Sequence, residues 1–132
     1  MSSIIPSLWP PDLAPTVERT PLAILKEQAS QLGAATKNLL EGQVVTQVFG
    51  QGNDRRLRHW FNIVAPSLDR YTYQLFVVSH KLELYPLDVN LVSGRGITTL
   101  NSETEFIAYL RQVFASDETR RVIGALLAQV QS

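Results

Sequence analysis

The stretch Tyr71-Thr72-Tyr73-Gln74-Leu75-Phe76-Val77-Val78, continued through Ser79-His80-Lys81 into Leu82-Glu83-Leu84-Tyr85, decides the fold. Tyr71, Tyr73, Leu75 and Val77 alternate with Thr72, Gln74, Phe76 and Val78, the period of two expected of a strand with two different faces. Ser79, His80 and Lys81 interrupt the pattern, and Leu82, Leu84 and Tyr85 resume it. The spacing predicts an antiparallel hairpin at the middle of a sheet.

Working outward, Gln43 to Phe49 reads as a first strand and Arg55 to Ala65 as a second, joined by Gly50-Gln51-Gly52-Asn53-Asp54, whose glycines and Asx residues suit a hairpin loop. Pro66-Ser67-Leu68-Asp69-Arg70 turns the chain into the central hairpin. Successive strands on short loops lie side by side, which predicts an antiparallel meander of about four strands. Pro86 falls in the fourth, so that strand is expected at an edge, where a missing N–H costs nothing.

Helical signals flank the sheet. Thr20-Pro21 is a start, a capping oxygen followed by a residue whose absent N–H is harmless at the first position. Leu22, Leu25, Ala29, Leu32, Thr36 and Leu39 recur at spacings of three and four, giving an amphipathic helix to about Glu41, with Gly42 as its stop. Ser102 with Glu105 forms a capping box before Phe106, Leu110, Val113 and Phe114. Ser116-Asp117 then breaks that helix and opens another, with Val122, Ile123, Leu126, Leu127 and Val130 on its apolar side. Gly94-Arg95-Gly96 is a flexible connection. The fold class is α+β: an N-terminal helix, the meander, and two C-terminal helices packed on the sheet.

Residues 1–20 stand apart as an extended arm ahead of a single domain at 21–132. Pro6, Pro10, Pro11 and Pro15 exclude a regular helix, yet Ile4, Ile5, Leu8, Trp9, Leu13 and Val17 are more apolar than a solvated linker. The expectation is that the arm straps across the protein's own body, the sharper alternative being a partner subunit.

At 132 residues, 45% hydrophobic and 18% charged, the chain has the composition of an ordinary folded domain. Twelve basic and twelve acidic residues cancel, which argues against a general polyanion binder. With no cysteine there is no disulfide framework, thiolate nucleophile or Cys-based metal site. Neither a signal-peptide pattern nor a membrane-length apolar run is present, so a cytoplasmic protein that avoids membranes is expected.

The shortest turns the loops allow would place Val45, Phe49, Leu57, Phe61, Ile63, Tyr73, Leu75, Val77, Leu82 and Leu84 on the helix-packed side. The other side would then carry Val44, Thr46, Val48, Arg56, Arg58, Trp60, Asn62, Thr72, Gln74, Phe76, Glu83 and Tyr85. Trp60, Phe76 and Tyr85 beside Arg56 and Arg58 have the composition of an interface centre, because stiff aromatics bury much area at little entropic cost. Those five residues, with Trp9 of the arm, are the expected partner-binding set. The function that follows is a noncatalytic interaction or adaptor domain, binding a protein partner or a second copy of itself as a homodimer.

Two alternatives compete with it. Arg55, Arg56, Arg58 and His59 with Trp60 and Phe61 hold the ingredients of a nucleic-acid-tracking strand, although alternation splits them between faces, so nucleic acid is the less favoured partner. A concave sheet under the first helix could instead form a cup for a small apolar ligand, lined by Phe61, Tyr73, Leu75 and Leu84. Catalysis finds little footing. His59 and His80 lack metal-site spacing, and Ser79 beside His80 points to the opposite face. Glu83, Asp88 and Glu105 have no fixed separation as an acid–base pair, and the glycine doublets lack the Lys or helix start of a phosphate loop. His59 is expected as a core imidazole and His80 as a solvated turn residue; no catalytic, metal or cofactor residue is assigned and no cofactor is expected.

Overall fold

The computed structural model describes residues 4–13, 19–94 and 96–132. Pro15 and Val17 of the arm and Arg95 of the late connection lie outside them. The chain is an α+β fold in which one antiparallel sheet carries helices on a single side. Helix α1 spans Pro21–Ala35; strands β1 Glu41–Phe49, β2 Arg56–Ala65, β3 Tyr71–His80, β4 Leu87–Leu91 and β5 Thr98–Leu100 follow; α2 Glu103–Phe114 and α3 Asp117–Val130 close the chain. The five strands pair in chain order as an uninterrupted meander.

Local chemistry sets the helix ends. Thr20 Oγ1 accepts from the Ala23 N–H, and Pro21 occupies the first turn. Helix α1 stops earlier than its apolar stripe predicts, because Lys37 and Asn38 adopt left-handed backbone conformations (φ 52° and 64°) that no helix continues. Thr36 Oγ1 then donates toward the Leu32 carbonyl and accepts from the Leu40 N–H, holding the chain as it turns back into β1. Gly42 is therefore a strand residue rather than a helix stop. A Cβ there would overlap the Ala29 backbone, so the glycine lets α1 lie directly on β1. Ser102 Oγ accepts from the Glu105 N–H while Glu105 Oε2 accepts from the Asn101 N–H, and Ser116 Oγ caps α3 through the Thr119 N–H.

One cluster unites the buried stripes of all three helices with the sheet: Ile24, Leu25 and Ala29 of α1, Phe106, Leu110 and Val113 of α2, and Val122 and Leu126 of α3 meet Phe61, Ile63, Phe76, Val78, Leu87 and Val89. Its aromatic centre is Phe61 stacked on Phe76 at 5.3 Å between ring centroids, with Phe114 tilted against both. Phe76 is fully buried. Its expected place on the outer face is corrected by a β-bulge. Phe61 pairs with Phe76 and Asn62 with Gln74, leaving Leu75 as the extra residue, so Leu75 and Phe76 both turn to the helix side and Val77 moves out.

Two further expectations about register and strand placement are overturned. The loop from β1 to β2 contains a short helical turn at Gly52–Asp54, longer than the tightest connection, and a one-residue change in register flips a whole strand. Val44 thus pairs with Phe61 on the helix side, whereas Val45 and Phe49 share the open side with Trp60. Beyond β3, Leu82 and Leu84 do not resume a strand. They lie in a loop, with Leu82 82% exposed, and β4 begins only after the cis Tyr85–Pro86 bond. Pro86 therefore precedes its strand, and the true edge on that side is β5, missed because it has only three residues.

Candidate interaction surface

Among the described residues every helix lies on one side of the sheet, and no helix covers the other, although Asn62 and Val64 on that other face are buried. The register arranges it in rungs running across the strands. Gln47, Arg58, Ser79, Asp88 and Thr99 form one; Val45, Trp60, Val77 and Asn90 the next; Gln43, Asn62 and Gln74 the third. None of these residues belongs to the core cluster. Trp60, half-buried, lies between Val45 and Val77 at the centre of the face. Alternation along β2 sends Arg56, Arg58, Trp60 and Asn62 to the same side because no bulge interrupts its pairing with β1.

The arginines differ in what holds them. Arg56 donates through Nε to Ser79 Oγ at 2.9 Å and through its terminal nitrogen to Asp88 Oδ2 at 3.2 Å, while Asp88 Oδ1 accepts from Thr99 Oγ1 at 2.7 Å. That network occupies Arg56 in cross-linking β2 to β3, β4 and β5, which makes it structural rather than a free anchor. Arg58 lies over the Phe49 ring, 3.9 Å from its centroid, and 5.8 Å from that of Trp60. Its guanidinium is thereby placed within cation–π range of two aromatic rings on this face. Below Trp60, Asn62 Nδ2 donates to Gln43 Oε1 at 3.2 Å, and its Oδ1 is a buried acceptor with no donor among the described residues.

The expected partner-binding set is therefore only partly assembled. Arg58 and Trp60 stand together on the open face, and Phe49, Val45 and Val77 join them in place of Phe76 and Tyr85. Phe76 lies in the core, and Tyr85 packs against the core cluster from the loop before β4. Trp9 stands apart, 76% exposed, in the described arm of residues 4–13, where Ile4, Ile5, Leu8 and Leu13 are also exposed. Among the described residues, none of 4–13 packs against the core cluster. Phe49 could have been found from sequence only by knowing the loop geometry that sets the β1 register.

The basic cluster at Arg55–Phe61 is divided as alternation requires. His59 and Phe61 are buried on the helix side, Arg56 is paired, and Arg58 is stacked. On the helix side, a cleft of about 220 Å³ opens between α1, α3 and the sheet, lined by Leu32, Phe61, Ile63, Leu75, Phe114 and Ile123. Of the four expected cup residues it gathers Phe61 and Leu75; Tyr73 lines a separate cleft against α3, and Leu84 lines neither. The volume falls below the roughly 300–1,000 Å³ usual for ligand pockets.

The two histidines meet in the interior, which the sequence did not foretell for His80. His59 Nδ1 lies 2.9 Å from Thr46 Oγ1, the two Nε2 atoms are 2.9 Å apart, and His80 Nδ1 is 2.6 Å from the Lys81 carbonyl. A carbonyl only accepts, so His80 Nδ1 donates. With both rings neutral, His59 Nε2 then donates to His80 Nε2, and Thr46 donates to His59 Nδ1. Burial, reinforced by His80 and by Lys26 of α1, lowers the His59 pKa from 6.5 to about 4. Two imidazoles without a third ligand do not make a metal centre, and among the described residues no group of three or more His, Cys, Asp or Glu side chains converges.

No helix among the described residues is long and apolar enough to cross a membrane. Compared with known proteins, the chain matches no family model, no curated protein and no solved structure.

Proposed function

We infer that this chain is a noncatalytic protein-interaction module that docks a protein partner on the open face of its sheet. The observation that supports this reading is the centre of that face: Trp60 between Val45 and Val77, with the Arg58 guanidinium stacked beside it on Phe49 and no helix laid over them. A half-buried tryptophan next to a ring-stacked arginine offers apolar area and charge together, the residue types in which interface hot spots are enriched.

The test is affinity capture with the wild-type chain against Trp60→Ala and Arg58→Ala, each first shown to be folded by circular dichroism. Partners retained by the wild type and lost by both variants support the reading. An identical set of captured proteins for all three would remove the open face as the docking surface.

A further inference from the structure

The nine-residue strand β1 forms one edge of the sheet. Alternate backbone N–H and C=O groups of an edge strand point away from the sheet, and proteins commonly shield them with charge, proline, bulges or brevity. The opposite edge is protected in that way, since β5 has three residues. β1 is not. Residues 42–53 include no charged side chain and no proline, its pairing with β2 runs through without a bulge, and among the described residues no backbone bond from outside the sheet reaches it. Val45 and Val48, on opposite faces, are 43% and 51% exposed.

We propose that β1 pairs antiparallel with β1 of a second copy about a two-fold axis at Val45, joining the two sheets into one. This register uses the whole strand. Val45 lies beside Val45 of the second copy, Gln43 beside Gln47, and Glu41 beside Phe49, all on the open face. Arg58 stacks on that Phe49 ring, so the Glu41 carboxylate of one copy meets the Arg58 guanidinium of the other, twice in each dimer. Glu41 has acceptor capacity to spare, being half exposed and only loosely paired with Arg70 at 3.6 Å. On the helix side, the exposed Val48 comes beside Gly42, the strand position overlain by α1. A foreign strand could satisfy the same backbone groups. The charge match, however, lies between the two ends of this strand, and a two-fold axis through its middle fulfils it at both ends. The proposal deepens the interaction reading by naming a partner, and it rests on that reading in needing Phe49 and Arg58 uncovered.

The chain has no cysteine, so a single introduced thiol can form a disulfide only with another copy. Under mild oxidation at low micromolar concentration, Val45→Cys is expected to form a covalent dimer about tenfold faster than Gln74→Cys, an exposed position on the same face, because residues facing each other across a two-fold come within bonding range. Gln47→Cys should lag behind Val45→Cys. In sedimentation equilibrium, Glu41→Arg and Arg58→Glu should each weaken the dimer about tenfold or more, and the double reversal should restore it. Three results would overturn the proposal: Val45→Cys linking no faster than Gln74→Cys, a wild-type chain that stays monomeric to about 100 μM, or fastest linkage at Gln47→Cys, which moves the axis. Loss of cross-linking with Trp60-dependent capture intact rejects the second copy alone. Cross-linking at Val45→Cys with capture indifferent to Trp60→Ala rejects only the open-face reading.

Discussion

Lowering the pH should destabilise this protein through His59, and the structure sets the size of the effect. In the unfolded chain the imidazole takes a proton near pH 6.5; in the folded chain it resists until about 4. As the pH falls, the unfolded state therefore binds the proton first, so stability is complete above about pH 6.5 and declines until the folded pKa is passed. The full drop in pKa is equivalent to about 3 kcal/mol, of which about 2 kcal/mol is already lost at pH 5. That is a large fraction of the roughly 5–15 kcal/mol that stabilises a typical domain. The cost is that of placing a charge in a buried site beside His80 and the Lys26 ammonium. Thr46 can rotate to accept from a protonated ring, so a broken hydrogen bond is not the origin of the penalty. Urea unfolding at about pH 7 and about pH 5, in the wild type and in His59→Gln, isolates the group, because the carboxylates titrate alike in both and the amide keeps a donor for His80. The wild type should lose about 2 kcal/mol more than the variant over that interval. With two histidines in the chain, ring resonances in NMR give a direct second reading. Equal losses within about 0.5 kcal/mol, or a His59 ring titrating near its ordinary value, would refute the reasoning.

Other substitutions probe the packing. Phe76→Ala, which removes a ring stacked on Phe61 and tilted against Phe114, should cost about 3–5 kcal/mol in denaturant unfolding, and Trp60→Ala on the other face less than half as much. Gly42→Ala forces a methyl group into the Ala29 backbone and should cost about 1–3 kcal/mol, visible as a lowered Tm. Ser116→Ala removes the α3 cap and should cost about 1 kcal/mol by the same assay.

How much was legible beforehand varied with the kind of signal. Helix starts were readable because caps act within four residues: Thr20, Ser102 and Ser116 each accept from the N–H three positions on. The end of α1 was not, because its apolar stripe runs on past Ala35 while two left-handed residues stop the helix. Strand order was readable from the short loops. Facing was not, because the length of the β1–β2 loop and the bulge at Leu75 each shift the register by one, and each shift exchanges the two faces. For that reason Arg58 and Trp60 were correctly placed together, lying on one regular strand, whereas Phe49 and Phe76 exchanged roles across two junctions. The His59–His80 contact joins residues on neighbouring strands, a pairing that no local pattern encodes.

The amino-acid sequence by itself determined an α+β chain with a helix, a run of antiparallel strands and two closing helices, because propensity, capping and periodicity operate over a few residues. Only the tertiary structure decided which side of each strand faces the helices, which aromatic rings are interior, and which strands form the edges of the sheet. Those features depend on single-residue offsets in loops and bulges, whose effect is expressed only when distant segments pack against one another.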